Sequence, residues 1–184
     1  MAKLVSKTYG DALFDLALES GQMEELFEET KGLIPILSEN EDLKKMMNHP
    51  KIVKEEKQKI IEDVFTGKIS RELLGLMTML ITKGHYNDLE SVLEYFIHRV
   101  KEYKKIGTVY VTSAMELTLA QKGAIQRKLL DTTDYVQLDI IYEEDESLIG
   151  GMIIRIGDRV VDGSIKSKLA RLTSELSKTK LQVS

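Results

Sequence analysis

Four places in this 184-residue chain carry residue types that could do chemistry. Gly150-Gly151 with Gly157 could cradle a phosphate in backbone N–H groups, but neither a G-x-x-x-x-G-K-[ST] nor a G-x-G-x-x-G pattern occurs. A glycine pair entering a strand points instead to a bulge or a close backbone approach. Glu143, Glu144, Asp145 and Glu146 could bind a hard cation, yet they are consecutive, whereas a calcium loop alternates its ligands around a central glycine. An exposed turn is expected there. His49, His85 and His98 are far apart and show no metal-ligand spacing. Asp158 and Asp162 flank a hairpin, which could place two carboxylates together for acid–base work, but a turn residue and a residue preceding a helix account for both. Cysteine is absent, which excludes disulfides, thiol catalysis and thiolate metal sites. A soluble enzyme built on the hairpin glycines is therefore a competing reading and not the main one.

The elements that would position these residues are mostly helical. With 42% hydrophobic and 30% charged residues, no tryptophan and only Pro35 and Pro50, the chain reads as a well-solvated helical protein of one or two compact domains. A net charge of −4 argues against nucleic-acid partners, which select clustered Lys and Arg. Charge is uneven: residues 1–42 hold ten acids against three bases, and residues 43–71 hold eight bases against four acids. Solvated helix faces account for such blocks. The longest nearly uninterrupted apolar run, Leu73 to Ile81, is far short of the ~20 residues of a membrane span, so a membrane role would be indirect. The N-terminus has no apolar leader with a small-residue cleavage site, so export is not expected.

Six helical segments come first. Val5, Tyr9, Ala12, Leu13, Leu16 and Ala17 form a one-face stripe. A second helix covers about Met23 to Leu37, with Pro35 kinking or ending it. Ser38 and Glu41 suit a capping box for a short third helix that His49-Pro50 stops. The fourth runs from about Lys54 to Phe65 and the fifth from about Arg71 to Lys83, with Gly84 as its stop. The sixth starts at Asn87, with Glu90 three residues on, and carries Leu89, Val92, Leu93, Phe96, Val100 and Tyr103 on its apolar face.

Around Lys104 to Gly107 the period changes from 3.6 to 2, so residues 1–105 are expected to form a six-helix bundle and residues 106–184 a small α/β domain. The fold class is mainly α within an α+β whole. In the second part Thr108 to Thr112 reads as a strand, Thr118 with Gln121 opens a helix carrying Ile125 and Leu129, and Val136, Leu138, Ile140 and Tyr142 alternate. Met152, Ile154 and Ile156 lead into a Gly157-Asp158 hairpin whose return strand is Arg159 to Asp162. Ser164 suits a helix N-cap, and Ile165, Leu169, Leu172 and Leu176 follow at one-face spacing, expected to be buried against the sheet.

Two helices carry more apolar surface than one core can use. Leu4, Phe14 and Leu18 fall opposite the main stripe of the first helix, and Leu73, Leu74, Leu76, Met77, Met79, Leu80 and Ile81 cover over half of the fifth. The alternative for the fifth is a central position, buried all round.

The order and residue types of Gly150 to Leu172 closely resemble the C-terminal signature of the delta/OSCP family of F-type ATP synthases. Tyr9-Gly10-Asp11-Ala12-Leu13-Phe14 with Ala17 is similar to that family's N-terminal Tyr-x-x-Ala-Leu-Phe opening, and Pro50 and Lys57 match its Pro…Lys spacing. Lys83-Gly84-His85 departs from it, since many relatives carry arginine near position 85. The resemblance implies a non-catalytic stator without cofactor or metal, one copy per complex and monomeric alone, at the cytoplasmic face of the cell membrane. Its bundle would receive the N-terminal helix of an alpha subunit between the first and fifth helices, and its C-terminal domain would engage the b subunits of the peripheral stalk. Tyr9, Ala12, Leu13, Leu16, Leu76, Met79, Leu80 and Lys83 are the expected alpha-subunit contacts. Arg155, Arg159, Lys166, Lys168 and Arg171, in a stretch from Arg155 to Lys180 with seven bases against three acids, are the expected b-subunit contacts, the alternative being a merely solvated face. A generic helical adaptor is the other competing class.

Overall fold

The computed structural model describes residues 2–170 and divides the chain into two compact units between Tyr103 and Lys104. The first unit holds α1 (Ala2–Glu19), α2 (Met23–Glu39), α3 (Glu41–Met47), α4 (Lys54–Phe65), α5 (Arg71–Lys83) and α6 (Leu89–Lys104). All six helices contribute to one core, in which Leu26, Leu73, Met77, Leu80, Leu93 and Phe96 are fully buried. Ser70 caps α5, its Oγ accepting from the Leu73 N–H, and Gly84 ends it in the left-handed conformation (φ 77°) that glycine adopts without strain.

Three local expectations are corrected. Pro35, expected to kink or end α2, does not end it but sits inside it. A proline there costs about 3 kcal/mol, but it faces solvent, and its neighbours Leu33 and Leu37 are buried on the core side and carry the helix past it. Ser38 accordingly lies in the last turn of α2, donating its hydroxyl to the Pro35 carbonyl at 3.0 Å, and α3 opens after Asn40 with no side-chain cap. Asn87 opens no helix: a 3-10 turn, Tyr86–Asp88, precedes α6, with the His85 ring 3.1 Å from Asp88.

The stripe on α1 is also rotated from expectation. The buried positions are Ser6, Gly10, Leu13, Phe14 and Ala17, so Phe14 belongs to the core, while Ala12 and Leu16 face out. Gly10 explains the rotation. A Cβ there would collide with the Tyr95 ring of α6, so the glycine lets α6 lie close against that side of α1. Polar contacts fix the pairing: Asp11 Oδ1 accepts from Tyr95 Oη at 3.1 Å and from Arg99 Nε at 3.2 Å. The Arg99 guanidinium lies 5.2 Å from the Phe14 ring centroid, and Tyr103 meets Phe14 edge-on at 5.6 Å.

The second unit holds β1 (Ile106–Ser113), α7 (Leu119–Thr132), β2 (Gln137–Glu144), β3 (Met152–Ile156) and β4 (Arg159–Asp162), followed by helical residues 165–170. The sheet order is β2-β1-β3-β4, with β1 and β2 parallel across α7 and the other pairs antiparallel. Alternation puts Val109 and Val111 at the centre of a core shared with Leu138, Ile154, Ile125 and Leu129. Thr118 and Gln121 form the complete reciprocal capping box.

Candidate partner-docking site

The phosphate-loop reading dissolves in the geometry of the glycines. Gly151 has φ 77° and lies so close to the Gly163 carbonyl that a Cβ would collide with it, while a Cβ on Gly150 would come within 2.6 Å of Ile165 Cδ1. The pair therefore seats the last helix against the end of the sheet. Asp162 has the same kind of job: Oδ1 accepts from the Ser164 N–H at 2.9 Å, and Ser164 Oγ accepts from the Ser167 N–H at 3.2 Å as the N-cap. Asp145 Oδ1 accepts from the Ser147 N–H at 2.9 Å, and hydrogen bonds from Ser147 hold its carboxyl below the usual range. His49, His85 and His98 lie in separate places, His85 against Asp88 and His98 3.8 Å from Glu102. Among the described residues no three potential metal ligands converge. No described helix is long and apolar enough to cross a membrane.

What the helical unit offers instead is exposed apolar surface on α1 and α5. α1 and α5 are neighbours. On the outward flank of α1, Tyr9 is half-buried against the core, Ala12 is exposed, and Leu16 keeps 43% of its surface. On α5, Met79 keeps 50% and Lys83 is exposed, while Leu76 is nearly covered. α5 is thus not buried all round. Three of the expected contacts, Leu13, Leu76 and Leu80, are buried in the core, because one-face spacing cannot tell the inner half of a broad stripe from its outer half. α4 borders the far side of α5, where Lys54 Nζ donates to the Thr82 carbonyl at 2.7 Å and Gln58 Nε2 to Thr82 Oγ1 at 2.6 Å.

The expected basic surface of the second unit is divided. In the hairpin register Arg155 opposes Val160 and Ile156 opposes Arg159, so the two arginines point to opposite faces of the sheet. Arg155 stacks 4.4 Å over the Tyr110 ring of β1. Lys166 donates to Ser147 Oγ at 3.1 Å, and Lys168 is exposed. Ile165 and Leu169, expected to be buried, keep 42% and 49% of their surface. Arg171, Leu172 and Leu176 lie outside the described residues.

A further concavity, unmarked by any residue pattern, opens between α2, α3 and the end of α4. It is a groove of about 660 Å³ walled by Ile36, Met46 and Val64. Its lining is drawn from three helices and from the turn that follows α4.

Comparisons with known proteins span both units. Residues 5–176 match the family model described as ATP synthase delta (OSCP) subunit. The ATP synthase subunit delta of Lachnoclostridium phytofermentans is 50% identical over 98% of this chain and all of its own length. That of Prochlorococcus marinus is 33% identical over 95% of this chain and 97% of its own, and that of Desulforudis audaxviator 32% over 96% and 97%. The fold is also that of a chain in the Toxoplasma gondii mitochondrial ATP synthase hexamer, with a TM-score of 0.73, 19% identity and coverage of 93% of this chain and 96% of that one. With both units included in the match, the chain belongs to the ATP synthase delta (OSCP) subunit family.

Proposed function

We propose that this protein is a stator subunit of a proton-translocating F-type ATP synthase, holding the catalytic head against the torque of the rotor. Membership of the family makes it a non-catalytic peripheral-stalk component and sets aside the soluble enzyme and the generic adaptor. In the proposed arrangement the flanks of α1 and α5 receive the N-terminal helix of an alpha subunit, the second unit engages the b subunits, and the complex sits at the cytoplasmic face of the membrane. One copy serves each complex, and a clamp bound at two sites gains avidity from moderate contacts.

The observation that carries the reading is the outward apolar flank on two neighbouring helices. Ala12 lets a guest helix approach closely, Leu16 and Met79 supply apolar area, and Tyr9 offers a ring with a polar tip. A peptide copying an alpha-subunit N-terminus is expected to bind the purified protein, which has no ATPase activity. Ala12→Asp places a charge in that interface and is expected to abolish binding while leaving circular dichroism unchanged, because Ala12 is exposed in the free protein. Binding at the original affinity would move the docking site elsewhere. For the stalk end, Lys168→Glu is expected to weaken b-subunit binding more at low salt than at high salt. An unchanged salt dependence would leave the apolar surface at Ile165 and Leu169 as the contact.

A further inference from the structure

We infer that the groove between α2, α3 and α4 is a second docking site on the bundle, taking an amphipathic helix whose apolar stripe is flanked by lysine or arginine. None of its lining residues lies on α1 or α5, so it is separate from the alpha-subunit site proposed above. Its volume of about 660 Å³ falls in the range of sites that enclose a ligand, and its lining is mainly apolar. Ile36 on α2 keeps 53% of its surface and Val64 on α4 keeps 40%. Met46 lies between them, a side chain able to adapt to different guests. Gly32 leaves bare backbone on the α2 wall: a Cβ there would meet nothing within 4 Å, so a guest helix can come close.

Charge selects the occupant. Residues 23–47, which span α2 and α3, hold seven acids against three bases. Those three bases are already engaged within the surface: Lys31 with Glu28 at 3.1 Å, Lys44 with Glu90 at 2.7 Å, and Lys45 with Glu41 at 3.3 Å. On the rim, Glu29 is held in place by the Ser70 N–H at 2.9 Å, and Asp42 on α3 has a side chain 96% exposed. Lys68 is the basic residue on the lining. The lining's two carboxylates, Glu29 of α2 and Asp42 of α3, outnumber its one base, so a helix with basic flanks is favoured there over one with acidic flanks.

The full-length protein tests this with two labelled peptides of about 18 residues that share a Leu/Ala stripe, one flanked by Lys and one by Glu. In fluorescence anisotropy at low salt the Lys peptide is expected to bind at least about tenfold more tightly than the Glu peptide, with the gap closing as salt rises. Its amide shift changes should centre on Gly32, Ile36, Met46 and Val64. Gly32→Leu fills the groove and Ile36→Glu charges its wall; both positions are exposed, so each is expected to keep the circular dichroism spectrum and lose at least about tenfold in affinity. Ala12→Asp is expected to leave this binding untouched. Equal affinity for the two peptides would overturn the inference, as would shift changes that map to Tyr9 and Met79 and vanish in Ala12→Asp. Self-association that disappears in Ile36→Glu would also overturn it, making a second copy of the chain the occupant. Because Ala12→Asp and Ile36→Glu probe different surfaces, failure here leaves the alpha-subunit reading standing, and the reverse holds as well.

Discussion

The two units of this chain are stabilised in different ways. In the helical unit every helix sends side chains into one core, and Phe96, Leu93 and Val100 on α6 are fully covered. In the α/β unit the described core is thin: Val109, Val111, Leu117 and Leu138 are buried on one side of the sheet, while Tyr110, Ile153 and Arg155 on the other side keep part of their surface. A unit with a deep core can leave apolar residues such as Leu16, Ile36 and Met79 outside without losing its fold. A unit with a shallow one depends more on backbone fit, and its glycines record that dependence.

Core truncation probes the difference most strongly. Phe96→Ala is expected to destabilise the bundle by about 3–5 kcal/mol, and Val111→Ala to cost the α/β unit roughly 2 kcal/mol, both read from urea unfolding followed by circular dichroism. Equal costs would mean that the second unit is packed more deeply than its described core.

Glycine substitution should reverse the ranking. Gly151→Ala forces a left-handed residue against the Gly163 carbonyl and is expected to cost more than the roughly 1–2 kcal/mol of the backbone conformation alone. Gly32→Ala, in open helix surface, is expected to raise stability by about 0.4–1 kcal/mol. Thermal melts of the two variants decide the matter, and a neutral Gly151→Ala would remove backbone fit from the account.

The smallest effect concerns alkaline pH. Burial, with the Glu90 carboxylate adding to it, pushes the Tyr86 phenol up to about 12 from 10.0. Folding therefore favours the neutral phenol, so this contribution is intact below pH 10 and is lost as the pH rises from about 10 towards about 12. Tyr86→Phe should flatten the decline of stability in that window, with absorbance at about 295 nm reporting the delayed ionisation. Tyr142 in the α/β unit is also pushed up by burial, and Tyr142→Phe gives the matching measurement there.

Much of this fold is legible in the residues because the signals are local. Gly84 ends a helix, Thr118 with Gln121 opens one, and Gly157-Asp158 turns a hairpin, each through atoms within a few positions of one another. The rotation of α1 is not legible, since it depends on Gly10 making room for a ring 85 positions away. Nor is the continuation of α2 through Pro35, which tertiary burial of Leu33 and Leu37 carries. The candidate surface is half legible for the same reason. Ala12, Leu16, Met79 and Lys83 lie outward as a docking flank requires, but the pattern that marks them also takes in Leu13, Leu76 and Leu80, and only the packed neighbours separate the two groups. The groove walled by Ile36, Met46 and Val64 exists only once three helices meet.

The Asp11 cluster gains a mechanical meaning if α1 is where the head takes hold. Tension applied to α1 need not cross the bundle core to leave it, because the Asp11 carboxylate hands it directly to Tyr95 and Arg99 on α6. α6 is also the helix from which the chain runs on into the second unit, past Lys105 and into β1. The entry and exit of force are then two struts riveted side by side. On that premise the remaining four helices would brace the pair, keeping those struts straight while load passes between them.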